Sequence, residues 1–249
     1  MPQLAPAQTP AAIGVPSPSP APSGLEQAQT QAEAAAQAGA QAAPAAKPPS
    51  QPAPSRIDPR TDTGLIGRPA VQTGDQWLYR RSTGRLSFAM RQSVANVNQQ
   101  GISLKTEQSG SFDSSTTVHD RQWGLLGSGF NDYRPALAYY SFPLYPGKRW
   151  GIDSGVSNFG ADQNVRMKGE GHAVAWESID VPAGRFLAMK IELKIETTDP
   201  GDAKRVLTVR ETHWYARDVM RPVRVESETV VAGEAPKNET IDLLSFTIE

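Results

Sequence analysis

The chain has 249 residues, 25 of them Lys or Arg and 26 Asp or Glu, and it contains no cysteine. Three of the cations and four of the acids fall in residues 1–63, so residues 64–249 carry 22 of each sign, and this neutral balance argues against a nucleic-acid partner, which calls for a basic face. Missing thiols exclude disulfides, thiolate metal sites and cysteine nucleophiles.

No uninterrupted apolar run reaches the ~18 to 20 residues of a membrane-spanning helix, so no transmembrane segment is expected in the chain. The first residues, MPQLAPAQTP, lack the basic start and apolar stretch of a secretory signal, which at face value means a cytoplasmic start. The composition that follows favours another reading, in which a signal or lipidation segment precedes Met1 and the protein is periplasmic or associated with an outer membrane.

Residues 1–63 form an Ala/Pro/Gln-rich segment holding thirteen of the 21 prolines and none of the eighteen aromatic side chains. Pro16, Pro18, Pro20 and Pro22 alternate with small residues and favour extended, polyproline-like conformations. Residues 25–43 are rich in Ala, Gln and Glu but carry no large apolar side chain beyond Leu25 at their start, so a helix there is at best transient. A disordered spacer is expected, because such composition cannot offset the entropy of ordering.

Residues 70–249 read as a single antiparallel β domain. Strands are expected near 75–81, 85–97, 101–109, 111–121, 136–142, 148–157, 163–179, 185–198, 204–216, 221–231 and 239–248. Alternation is clearest where Leu187, Met189, Ile191, Leu193 and Ile195 interleave with Ala188, Lys190, Glu192, Lys194 and Glu196. Val181-Pro182-Ala183-Gly184 and Asp199-Pro200-Gly201-Asp202 supply reversals on either side. No segment has the pattern of a long amphipathic helix. The fold expected is an all-β, long antiparallel meander forming a curved sheet or partly open β-barrel.

Candidate chemistry is sparse, and no cofactor and no metal site are expected. The three histidines, His119, His172 and His213, fall in different expected strands without a second ligand at metal-binding spacing. The run GLLGSG at 124–129 lacks the Lys-Ser/Thr ending of a phosphate loop and reads as a plain loop. In VLTVRETHWY, Glu211 and His213 share the parity of Leu207, Val209 and Tyr215. They form either an inward-facing, mutually hydrogen-bonded buried polar pair, or a surface pair turned outward by a β-bulge. Tyr133, Tyr139, Tyr140, Phe142, Tyr145 and Trp150 crowd a proline-rich stretch and are candidates either for a ligand-binding mouth or for a core plug capping one end of the sheet.

Four pieces of sequence, GDQWLYR at 74–80, FPLYPGKRW at 142–150, VPAGRFLAMKIE at 181–192 and ETHWYARDVMRPVRVESE at 211–228, occur in that order. As a set they resemble uncharacterised bacterial cell-envelope proteins of the type known as domain of unknown function 3108. The resemblance implies an open-barrel-like β domain in the periplasm or at the outer membrane, similar in outline to carriers that hold acyl chains in a concave sheet, and it brings no catalytic residue with it. The function expected is a non-enzymatic envelope module that binds a lipidic or hydrophobic ligand or an envelope protein. The alternative is a structural adaptor of a secretion, adhesion or cell-wall assembly that joins its partner by an exposed sheet edge. An enzyme using Glu211 and His213 ranks last.

Overall fold

The structure, a computed structural model, describes residues 64–111, 113–159, 163–199 and 202–249. The spacer of residues 1–63, its helix at 25–43 and the turn at Pro200 and Gly201 lie outside the described residues. Twelve strands follow one another: β1 (Gln76–Thr83), β2 (Leu86–Asn98), β3 (Gly101–Gln108), β4 (Ser114–His119), β5 (Leu125–Ser128), β6 (Asn131–Leu137), β7 (Arg149–Asn158), β8 (Gln163–Val181), β9 (Gly184–Asp199), β10 (Asp202–Ala216), β11 (Arg221–Val231) and β12 (Lys237–Thr247). Each pairs antiparallel with its sequence neighbours, and pairing of β1 with β12 closes the barrel. No helix occurs among the described residues.

Closure is complete, and it removes one expectation. Every strand among the described residues has a neighbour on both sides, so the exposed edge required for strand addition by a partner is absent there.

Two strand expectations are corrected. GLLGSG is not a loop, since Leu125–Ser128 forms β5 between β4 and β6. The carboxylate of Asp120 accepts hydrogen bonds from the backbone N–H groups of Gln122 (2.7 Å) and Gly124 (2.8 Å), and this tight turn launches the strand. A Cβ on Gly124 would lie 2.7 Å from an Asp120 carboxylate oxygen, so that glycine serves the turn and does not signal a loop. The strand expected at 136–142 is instead β6 at Asn131–Leu137, after which Tyr139, Tyr140 and Phe142 leave the sheet on a long connection. Aromatic content made that connection look like a strand, but Pro143 and Pro146 deprive it of ladder donors.

The alternation read in β9 holds for Met189, Ile191, Leu193 and Ile195, all at most 3% exposed. It fails at Leu187, where Ala188 is buried instead. Ala183 donates a backbone hydrogen bond to Leu243 in β12, so the β8–β9 turn folds over a third strand there and both faces of the ribbon are covered.

One end of the barrel is plugged. The β10–β11 turn carries Val219, fully buried, and Met220, at a φ of 55°. The Val219 carbonyl accepts from the indole N–H of Trp77 (2.9 Å), and the Met220 carbonyl accepts from Trp123 (3.1 Å) and from the Tyr215 hydroxyl (2.8 Å). Tyr79 donates to the carbonyl of Pro222 at 3.0 Å. The Arg221 guanidinium lies 4.5 Å from the Trp123 ring centre and 5.6 Å from that of Trp77, and donates to the Gln92 amide oxygen at 2.6 Å. Reciprocal backbone bonds between Ile66 and Leu144 tie the entering chain to the long connection at this same end. The connections 83–86, 128–131 and 231–237 lie at the opposite rim.

His119 sits in the plug, 9% exposed and edge-on to Trp123. Burial, reinforced by the positive charge of Arg221, pushes its imidazole down from the usual 6.5 to about 4. Stability is therefore complete above pH 6.5 and falls as the pH drops toward 4, because the unfolded imidazole takes a proton that the folded one refuses. The expected loss over that window is about 3 kcal/mol, read as a shift of the urea midpoint, and a His119→Gln variant should lack this part of the slope.

Candidate functional site

Alternation along β10 carries Glu211, His213 and Tyr215 to the inside of the barrel. A bulge does occur in β10, but it falls between Trp214 and Tyr215, past both ionisable residues, and so does not turn them outward. Glu211 accepts from the His213 Nε2 at 2.9 Å, and His213 Nδ1 lies 2.7 Å from the Tyr140 hydroxyl. Burial pushes the Tyr140 phenol well above its ordinary pKa, so it keeps its proton and donates to Nδ1. The hydrogen-bond network thereby assigns the imidazole proton to Nε2, which donates to the carboxylate. The chain runs Tyr140 to His213 to Glu211, from a buried phenol to a carboxylate whose side chain keeps 19% exposure.

The six aromatic candidates divide into three groups. Tyr139 stacks on His213 (6.2 Å, 22°), Tyr140 meets Tyr215 edge-on at 5.2 Å, and Phe142 lies 5.5 Å from Tyr215, so these three fill the plug. Trp150 and Tyr133 are half-buried against the core. Trp150 lies across from Gly171, where a Cβ would come within 2.2 Å of the indole, and donates its N–H to the Ala138 carbonyl at 3.1 Å. Tyr145 stays at the surface, 44% exposed, with the Lys148 ammonium 5.7 Å from its ring centre. Lys148 also donates to the carbonyls of Ser141 and Pro143, which fastens the connection from outside.

Strand register extends Glu211 into a polar rung across the interior. Glu211 faces Ser227, and Ser227 faces Glu239. Glu239 is paired with Arg81 at 2.5 Å, with side-chain exposures of 20% and 40%. On the other side of Glu211 the rung continues through Leu193 to Gly171 beneath Trp150. Beyond it, toward the rim opposite the plug, Ile152, Val156 and Ile195 supply buried apolar wall. The interior thus sets ionisable groups at mid-height beside apolar side chains that are at most 7% exposed.

A groove of about 570 Å³ is lined mainly by outward-facing residues such as Arg149, His172, Glu192, Lys194, Arg210 and Glu226, and Leu193, Glu211, Ser227 and Glu239 of the rung line it as well. Sequence reading did not single it out, because its residues come from different strands and only register aligns them. Its cations are partly spent on neighbours, as in the Arg210–Glu228 and Lys194–Glu196 pairs.

No family model matches the chain, and no curated protein matches it. Solved structures do. One is a candidate lipoprotein from Parabacteroides distasonis, 16% identical, covering 75% of this chain and all of its own, with a TM-score of 0.46. A candidate exported protein with a YmcC-like fold from Bacteroides fragilis is 14% identical over 74% of this chain and all of its own, with a TM-score of 0.48. The hypothetical lipoprotein YmcC from Escherichia coli K12 is 14% identical over 69% of this chain and 84% of its own, with a TM-score of 0.41. The sequence resemblance to domain of unknown function 3108 therefore has no family model beside it.

Among the described residues no group of three or more His, Cys, Asp or Glu side chains is placed to hold a metal ion, and no helix is long and apolar enough to cross a membrane. Chemically, the phenol–imidazole–carboxylate chain fixes the Glu211 oxygens and latches the connection at Tyr140 to the barrel wall. Its buried end offers no access for a substrate, while its carboxylate end faces the interior and accepts hydrogen bonds.

Proposed function

We propose that this chain is a non-enzymatic binding module of a bacterial cell envelope that holds an amphipathic, lipid-like ligand in the open half of the barrel. The observation that carries the reading is the rung of Glu211, Ser227 and Glu239 with Arg81, solvent-accessible and set below apolar wall. A head group rich in hydrogen-bond donors meets the carboxylates, and an apolar body lies along Ile152, Val156 and Ile195 toward the rim. The plug at the other end holds the rung in place, as a binding site built on rigid strands requires. The Ala/Pro/Gln spacer of residues 1–63 supports an envelope setting, where it would separate the domain from an anchor.

The test is native mass spectrometry of the full chain purified from the envelope of its producing cells. A lipid-sized adduct is expected on the unaltered protein. Ser227→Trp, which fills the interior at the rung, should remain folded by circular dichroism and lose at least about 90% of the adduct. An adduct-free native protein, or an adduct that persists in the Ser227→Trp variant, would contradict the proposal.

A further inference from the structure

We infer that the plug is an acid-operated gate: a proton on His119 sets a second buried cation beside Arg221 and releases the β10–β11 turn from the end of the barrel while the wall stays paired. His119 is 9% exposed, its Nε2 lies 2.9 Å from the Thr117 hydroxyl, and its Nδ1 is buried with no hydrogen-bond partner. A neutral imidazole tolerates this, because Nδ1 can present a bare lone pair. Protonation turns both nitrogens into donors and leaves a charged Nδ1–H with no acceptor in a place closed to water.

The groups packed around the imidazole supply no counter-charge. Its ladder partners are apolar, Ile102 on β3 and Leu125 on β5. Arg221 shares the Trp123 ring with it, the guanidinium 4.5 Å and the imidazole 5.4 Å from the ring centre, and the Arg221 Nε is itself buried without a partner. Asp120 spends its carboxylate on the N–H groups of Gln122 and Gly124, Arg121 reaches the Asn98 carbonyl, and Asp75 accepts from the backbone N–H groups of Gln72 and Glu249. Tyr79 and Tyr215, on the other side of Arg221, stay neutral in acid because burial raises both phenols. Burial and the Arg221 charge therefore hold the imidazole down at about 4, which the Trp123 backbone offsets only in part.

Opening is local because the plug is tied differently from the wall. Residues 217–220 lie outside the ladder and are held by the Trp77, Trp123 and Tyr215 donors to the Val219 and Met220 carbonyls, whereas the strands are joined all round the barrel. Release of the turn carries Arg221 off Trp123 and lets water reach His119. Proton uptake favours equally every state that wets the imidazole, so the one that costs least to form is populated before the sheet unfolds. The gate stands on these contacts alone and does not depend on the ligand-binding reading.

The experiment is amide hydrogen exchange of the full chain, read by mass spectrometry at about pH 7 and about pH 4.5 and corrected for the intrinsic pH dependence of exchange. Opening measured at 217–221 should rise roughly fiftyfold between the two, the shift supplied by an imidazole that moves from about 4 in the plug to its ordinary 6.5 in water. Exchange in β8 and β9 should change by less than about threefold. His119→Gln keeps a polar partner for Thr117 and takes no proton, so it should abolish the rise at 217–221. A rise at 217–221 of less than about threefold, an equal rise in β8 and β9, or the same rise in His119→Gln would overturn the inference. Should that variant not fold, the contrast between 217–221 and the two long strands in the unaltered protein decides it alone.

Discussion

Trp77→Ala is expected to lower the unfolding free energy by about 3–5 kcal/mol, the range for removing a large aromatic side chain from a packed core. Trp77 is fully buried, lies edge-on to Trp123 at 6.1 Å, and has the Arg221 guanidinium over its ring. Its truncation also strips the Val219 carbonyl of its indole donor in a place water does not reach. Chemical denaturation with matched slopes measures the effect. A cost under about 1 kcal/mol would mean that the β10–β11 turn lies on the barrel as a dispensable cover instead of being bonded into it.

Alkaline titration should unfold the protein cooperatively between about pH 11 and 12. Tyr79, Tyr140 and Tyr215 are 3%, 6% and 1% exposed, and burial raises the pKa of each phenol above its ordinary 10, Tyr140 most strongly. Groups with raised folded pKa values contribute stability that is complete below the unfolded value and is lost as the pH climbs past it. Each phenol that ionises only in the unfolded chain removes about 1.4 kcal/mol at one pH unit above its ordinary pKa, so several together take a large share of the 5–15 kcal/mol typical of a domain. Loss of the β-sheet circular dichroism should coincide with a step in phenolate absorbance. A phenolate signal that rises smoothly while the sheet signal stays constant would show that these hydroxyls are open to solvent.

Parity and turn chemistry made the framework of the fold legible, because they act over a few residues. The alternation of β9 reads directly as a strand with one buried face, and the shared parity of Glu211 and His213 left two arrangements open. The choice between them depended on the position of a bulge, one step beyond His213, that no local residue type marks. The contact between Tyr140 and His213 spans 73 residues, and that between Trp77 and Val219 spans 142. Such pairs depend on the register of the whole meander and on where the 138–148 connection re-enters the barrel. β5 was hidden for the opposite reason: it is four residues long, and Gly127 within it and Gly124 and Gly129 at its ends resemble a loop although its backbone completes the ladder between β4 and β6.

The most direct test of an interior that is open at the rung and filled by an amphipathic ligand uses the missing cysteines. Ser227→Cys gives the chain a single thiol on the rung between Glu211 and Glu239, and Glu226→Cys gives a single thiol one residue away on the outer face. Maleimide should label both in ligand-free protein, and a saturating lysophospholipid should slow the reaction at position 227 by at least about tenfold while leaving position 226 unchanged. A Ser227→Cys thiol that is unreactive from the outset, or one labelled equally fast with and without the lipid, would contradict the account.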